Sequence, residues 1–369
     1  MTESEGIQSG GAALAARGVR RGGAILERLE PRRMLSGRVL LSHVPFVGPL
    51  PYLNVPGTPL RTNRAMPTTE PMSVMAARDG QKLLLEPASD LTVGGSFPGI
   101  GIADQISAFG AGSSPPDMAG AIGPSHFVEM LNGSVAIYTR AGVRLSHVSL
   151  ASFFNVTVGA TTYPRGGAFS PRVLYDRRSE RFFASALEIN GSSANNIILA
   201  VSRTSDPTGT WDKYLIPVGE AASLTDYANL GVDDNGVYFG MTIYHQPDVG
   251  LPKIAATAKA SLLSATPSLS TVYQFSNVTG MYSSPQPAIN FDAIGASARA
   301  WFVASSDSTF ANVNYRTLTW SGGVATLSAI SSALTTPAYA LPLNFIPSGS
   351  TTAIDAGDDR LRPSCRQST

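Results

Sequence analysis

Side chains able to do chemistry are sparse and widely spaced in this chain. The carboxyls set among apolar strand-like runs are Asp176, Glu188, Asp226, Asp233 and Asp292. Glycoside hydrolysis needs two carboxyls flanking one bond. They stand about 5–5.5 Å apart when one is a nucleophile, or about 6.5–9.5 Å apart when a water must fit between them. Asp226 or Glu188 suits such a place at a strand end, but no local spacing pairs them. His43, His126, His147 and His245 are scattered, with no short metal-ligand pattern, and His126 reads as a packed strand residue. Asp233-Asp234-Asn235-Gly236 hints at a calcium loop, but the later ligands of an EF-hand are missing. The chain holds no His-Glu-x-x-His pair, no P-loop and no Gly-x-Ser-x-Gly elbow. A single cysteine, Cys365, excludes an internal disulfide and a cysteine-based metal site. No catalytic residue, metal ligand or cofactor-binding residue is therefore assigned, and no cofactor is expected.

The elements that would position these groups follow from composition. The chain has 369 residues, of which 43% are hydrophobic and 14% charged. That charged fraction is well below the usual value of about 25%, while apolar content is ordinary and can build a sizeable core. Only Lys82, Lys213, Lys253 and Lys259 are lysines, which argues against coiled coils and helical bundles. With 36 glycines and 26 prolines between short apolar runs, the chain reads as all-β. A net charge of +1 gives no basic field for a nucleic acid. No run of 18 apolar residues exists, so no membrane-spanning helix is expected.

Three segments repeat. Pro171–Asp176 runs through a polar turn into Arg181–Leu187, Ala228–Asp233 through Asp234-Asn235-Gly236 into Val237–Ile243, and Pro287–Asp292 through small residues into Arg299–Ala304. A weaker copy is Asp117–Gly123 followed by His126–Met130. Asp176, Asp233 and Asp292 lie 57 and 59 residues apart. A period near 50 residues with several short strands per unit predicts propeller blades, whose sheets bury both faces only by stacking on neighbours. Each Asp reads as a structural turn residue bonding its own backbone. Asn235-Gly236 predicts a type I′ hairpin turn. Asn196–Ser202 and Tyr214–Val218 read as further strands, and Asn312–Trp320 alternates as a strand with one buried face. Ile254–Leu263 suits strand or helix equally. The fold expected is all-β and propeller-like, with about four recognisable blades in an incomplete ring.

Three stretches resemble known families. Leu26–Gly37, with Leu29, Glu30, Pro31, Arg32 and Leu35, resembles the LEPR-x-L-L leader of planctomycete surface or exported proteins, with Met34 where that family usually has Leu. The resemblance implies export to the periplasm, cell envelope or exterior. Thr204–Trp211 resembles the Asp-box turn of sialidase-like propellers through Asp206, Gly209 and Trp211, with the Gly one place later than usual. That motif is structural, and the sialidase arginine triad cannot be located. Residues 110–360 resemble secreted bacterial β-propeller proteins without an assigned activity, through Asp117–Tyr138, Ser170–Asp176, Val201–Trp211 and Asp226–Val232.

The organisation expected is a leader over 1–40, a Pro-rich irregular linker over 41–94, a propeller-like domain over 95–358 and an irregular tail over 359–369. The N-terminal region is expected to be disordered apart from a short helix. Ala356–Leu361 resembles the start of another blade, after which the polar run Arg362–Thr369 suggests a truncated product. The reading of function is an exported or cell-envelope module for binding or scaffolding, with no catalytic site. Its expected ligand is unidentified, a carbohydrate or another envelope protein. The alternatives are a carbohydrate-active hydrolase and a truncated product without function.

Overall fold

Strands buried on both faces read as continuous apolar runs, because successive side chains point to opposite sides of a sheet. Phe182 and Phe183 show the consequence: both are fully buried, each in a different core. A computed structural model describes residues 96–188, 195–220, 223–245, 249–282, 284–295, 297–306, 311–329 and 333–338. The leader residues Leu29 to Leu35, the linker and the tail fall outside these. No helix among the described residues is long and apolar enough to cross a membrane.

From Gly99 onward the described residues form four antiparallel sheets, each a simple up-and-down meander. Helix α1 (Ile102–Phe109) precedes them. The first sheet holds β1 (Ala119–Ile122), β2 (His126–Leu131), β3 (Ser134–Thr139) and β4 (Arg144–Ser149). A short turn of helix, α2 (Leu150–Phe153), and the hairpin β5 (Val156–Val158) and β6 (Thr161–Tyr163) lead to the second sheet. That sheet holds β7 (Ala168–Asp176), β8 (Arg181–Glu188), β9 (Asn196–Ser202) and β10 (Trp211–Pro217). The third holds β11 (Ser223–Val232), β12 (Gly236–His245) and β13 (Val249–Ala258), then, after α3 (Lys259–Leu262), β14 (Val272–Phe275). The fourth holds β15 (Gln286–Pro287), β16 (Ala300–Ser305), β17 (Asn312–Ser321) and β18 (Val324–Leu327), with β19 (Ala333–Thr335) also on β17.

Neighbouring sheets meet at their first strands: β1 on β7, β7 on β11, β11 on β15. The sheets are therefore blades with their first strands innermost, and the fold is an all-β, propeller-like fan of four described blades. Each gap between blades is one apolar core. Phe154, Phe182, Ile198 and Met130 fill the gap between blades one and two. Phe183, Leu199, Phe239 and Met241 fill the second, and Tyr238, Ile254, Phe302 and Leu318 the third.

All four expected hairpins between first and second strands are present. The segment 254–263 is both things, the end of β13 and then α3. The Asn235-Gly236 turn differs from expectation, since neither residue has positive φ. A carboxylate replaces that geometry: Asp233 Oδ1 accepts from Asn235 N and Gly236 N at 2.8 and 2.9 Å. Gly236 serves close packing, because a Cβ there would lie 2.6 Å from the Tyr238 ring.

Candidate functional site

Each innermost strand begins at what is here termed the upper end and runs down to a hairpin at the lower end. The two ends differ in kind.

At the upper end each innermost strand has, within it or two residues before it, one non-glycine residue in left-handed backbone. These are Asp117 (φ 41°), Ser170 (φ 49°), Tyr227 (φ 54°) and Ser284 (φ 59°). Side chains disfavour this region, at about 1–3 kcal/mol per residue where the surroundings enforce it. The four positions lie 53, 57 and 57 residues apart and recur once per blade. The ladder with the second strand breaks at the kink in blades two and three and resumes two residues later, at Arg172 and Asn229. In the other two blades pairing starts at the same offset, at Ala119 and Gln286. Four kinks therefore place Asp117, Ser170, Arg172, Asp226, Tyr227, Asn229, Ser284 and Gln286 at one end of the fan.

These kinks are tied between blades. Asn132, after β2, donates to Pro115 O at 2.9 Å and accepts from Ser170 N at 2.8 Å. Buried Gln105 on α1 holds that turn through Asn132 O at 2.8 Å and Ser134 Oγ at 2.9 Å. Asn195 does the same one blade on, bonding Thr225 N and O at 2.8 Å each. Thr242 Oγ1 meets Ser284 Oγ at 2.8 Å. Ser170 Oγ and Arg172 Nη1 donate to the Asp117 carboxylate at 2.7 and 3.1 Å. The Asp117 side chain is 30% exposed and that of Arg172 13%. Asp226 is fully buried, with Oδ1 accepting from Tyr227 N at 2.7 Å. Glu188, opposite Ala168 at the same end, is buried and accepts from Arg165 Nε at 2.9 Å and from Asn196 Nδ2. Arg172 Nε and Thr225 Oγ1 are buried without a hydrogen-bond partner among the described residues.

The lower end holds the turns. Asp176 accepts from Arg178 N and Ser179 N, both at 3.1 Å, and from Lys259 Nζ at 2.6 Å. Lys259 also donates to Asp233 O at 2.7 Å. Burial pushes the Asp176 carboxyl up, but the hydrogen bonds and charge of Lys259, with Ser179 and Arg178, outweigh it and hold Asp176 below the usual range. For Asp233 burial dominates and the carboxyl is held above its usual range, despite bonds from Gly236, Asn235 and Tyr238. The difference is geometric, since Lys259 meets a carboxylate oxygen of Asp176 but only the backbone carbonyl of Asp233.

In the fourth blade the capping position is Asn290, two residues before the expected Asp292. Asn290 Oδ1 accepts from Asp292 N at 2.9 Å, the same i to i+2 bond that Asp176 and Asp233 make. Asp176, Asp233 and Asn290 thus lie 57 and 57 residues apart, the period of the kinks. Asp206 lies in the outer hairpin between β9 and β10. It accepts from Thr208 N at 2.9 Å and Thr208 Oγ1 at 2.7 Å, bonds that hold its carboxyl below the usual range. Gly209 N donates to Asp206 O, and Trp211 Nε1 to Pro207 O, with the indole edge-on to Phe153.

Of the carboxyls singled out in sequence, Asp226 and Glu188 come to the upper end and Asp176 and Asp233 to the lower. Asp117, Ser170, Arg172, Tyr227, Asn229, Ser284 and Gln286 were not singled out as a set. Their signal is the period itself, read six residues before each hairpin rather than at it.

No protein-family model matches the chain, and no curated protein matches it in sequence. Among solved structures it is similar to a GH43 endo-arabinanase from Bacillus licheniformis, at 14% identity and TM-score 0.31, over 67% of this chain and 82% of that one. It is similar to an exo-β-1,3-galactanase from Phanerochaete chrysosporium at 9% identity and TM-score 0.32, over 60% of this chain and about half (51%) of that one. A subtype N11 neuraminidase-like protein of a flat-faced bat influenza A virus matches at 8% identity and TM-score 0.32, over 59% and 58% of the two chains. Likeness at this level concerns fold and leaves chemistry to the residues of this chain.

Proposed function

We propose that the protein is a carbohydrate-active propeller module whose ligand enters at the kinked upper ends of the innermost strands. One observation carries the reading: a strained, non-glycine kink at the same place in every described blade. Backbone strain recurring at one end of a scaffold is the mark of a functional site, because packing alone would select glycine there. The side chains it gathers are hydroxyl, amide, guanidinium, phenol and carboxylate, the groups that bond sugar hydroxyls. Within this reading Asp117, two residues before β1 and partly exposed, is the carboxyl open to a ligand, while Asp226, fully buried on β11, acts by holding the Tyr227 kink.

A second reading, an exported module that binds without catalysis, draws support from Asp117 itself. Its carboxylate already accepts from Arg172 and Ser170, which suits a fixed ligand-binding group. Export belongs to the proposal on the strength of Leu26–Gly37.

The test is a glycan array followed by a panel of aryl glycosides and polysaccharides, with Asp117→Asn and Asp226→Asn. Hydrolysis of a substrate that Asp117→Asn abolishes and Asp226→Asn weakens, while both variants still bind it, supports the hydrolase. Binding without turnover supports the second reading. A protein that binds no glycan contradicts the carbohydrate-active reading.

A further inference from the structure

We propose a second ligand site at the lower end, between blades one and two, for a small acidic molecule of about monosaccharide size. A cleft of about 340 Å³ opens there, lined by Ile122, Gly123, Pro124, Arg140, Tyr175, Arg177 and Glu180. Pockets for small ligands fall in the range of about 300–1,000 Å³. The apolar wall comes from Ile122, which is 57% exposed, and from the buried ring of Tyr175. A large aliphatic side chain left in the open beside an aromatic ring offers a surface for the body of a ligand.

The charge comes from two directions. Arg140 follows β3 in blade one, and Arg177 follows β7 in blade two. Neither guanidinium has a carboxylate partner among the described residues. Arg140 Nη1 reaches Pro124 O at 3.3 Å, and the Arg177 guanidinium lies 5.8 Å from the Phe291 ring of blade four. The neighbouring Arg178, by contrast, is paired with Asp234 at 3.3 Å. Arg181 adds a further cation to the same turn, with Nη1 donating to the carbonyl of Glu180 at 3.3 Å. Among the described residues Glu180 is the one acidic side chain lining the cleft, and it stands in left-handed backbone with φ 54°. Guanidinium groups supplied by two elements of one cleft can recognise a carboxylate or phosphate by paired hydrogen bonds. The blades approach closely enough for this because residue 123 is glycine: a Cβ there would lie 2.6 Å from Phe182 Cζ.

This site lies at the end of the fan opposite the kinks and stands independently of the function proposed for them. The experiment titrates the full chain by calorimetry, at fixed ionic strength, with glucuronate, glucose 6-phosphate and neutral glucose. The expected result is saturable binding of an acidic sugar and none of glucose. Comparing the two acids shows whether carboxylate or phosphate is the preferred group. Arg140→Ala and Arg177→Ala each weaken that binding by about tenfold, the loss expected for one charge-assisted contact. Glu180→Gln strengthens it. All three positions are exposed, so circular dichroism should show an unchanged fold. Absence of saturable binding by both acids, or binding unaltered in the Arg140→Ala, Arg177→Ala double variant, overturns the proposal.

Discussion

Lys259 shows at the scale of one residue how the fan is held. Its ammonium is buried, bonds a carboxylate of blade two and a carbonyl of its own blade, and leaves Asp176 dependent on it. Replacing Lys259 with Met strands a buried carboxylate, an error that costs about 3–5 kcal/mol. Urea unfolding at neutral pH should show that loss. The acid limb carries a sign that can be worked out. The folded Asp176 carboxyl sits below its unfolded value, so its contribution is present above the unfolded pKa and is lost as pH falls through the folded one. Asp233 is held above its unfolded value, so it takes up a proton on folding and its contribution grows as pH falls through the raised value. Asp233→Asn should fold, since Asn290 already fills that position in blade four, and should lose the early acid-side gain while keeping the later loss. Unfolding free energies measured from pH 7 down to pH 3 check both. The kinks allow a second substitution test. At Ser284, with φ 59°, Gly should be more stable than Ala by about 1 kcal/mol. Equal stabilities would mean that the left-handed backbone is not maintained in solution.

Among elements, the approach of one strand to the next blade sets the tightest limit. A Cβ on Gly240 of β12 would stand 1.7 Å from Pro285 O, at the start of the innermost strand of blade four. Gly240→Ala should therefore cost about 3 kcal/mol or more, because the fourth blade must back away. Gly295→Ala, where nothing lies within 4 Å, should change stability by less than about 0.5 kcal/mol. Paired thermal melts separate the two. The elements themselves are readable from sequence, because strands such as β9 and β12 carry short runs of apolar residues that begin at Asn or Gly. The turn geometry was not readable. Asn-Gly suggests positive φ, yet a buried Asp two residues before the Asn supplies the bonds instead. In blade four the turn lies two residues earlier than the residue types suggest, since Asp292 resembles the other turn aspartates in type while Asn290 matches them in place. The upper-end constellation is not legible in sequence because its members share a backbone conformation and not a residue type: Asp, Ser, Tyr and Ser.

At the scale of the whole molecule, three apolar cores stacked between the four described blades leave two ends, each with its own set of side chains. One end gathers polar side chains on strained backbone; the other gathers aspartate or asparagine turns, a buried lysine and a set of arginines. This separation makes a prediction for the fold as a whole. Substitutions at Asp206 or Thr208 in the outer hairpin should lower stability by about 1 kcal/mol each, the worth of a turn hydrogen bond, and leave glycan affinity unchanged. The most direct measurement is hydrogen–deuterium exchange of the full chain with and without a glycan that it binds. The account predicts slowed exchange in peptides spanning 115–119, 168–172, 225–229 and 284–286, at all four kinks together, with the outer strands unaffected. Protection confined to outer strands or to a single blade, with the four kinks unchanged, would contradict it.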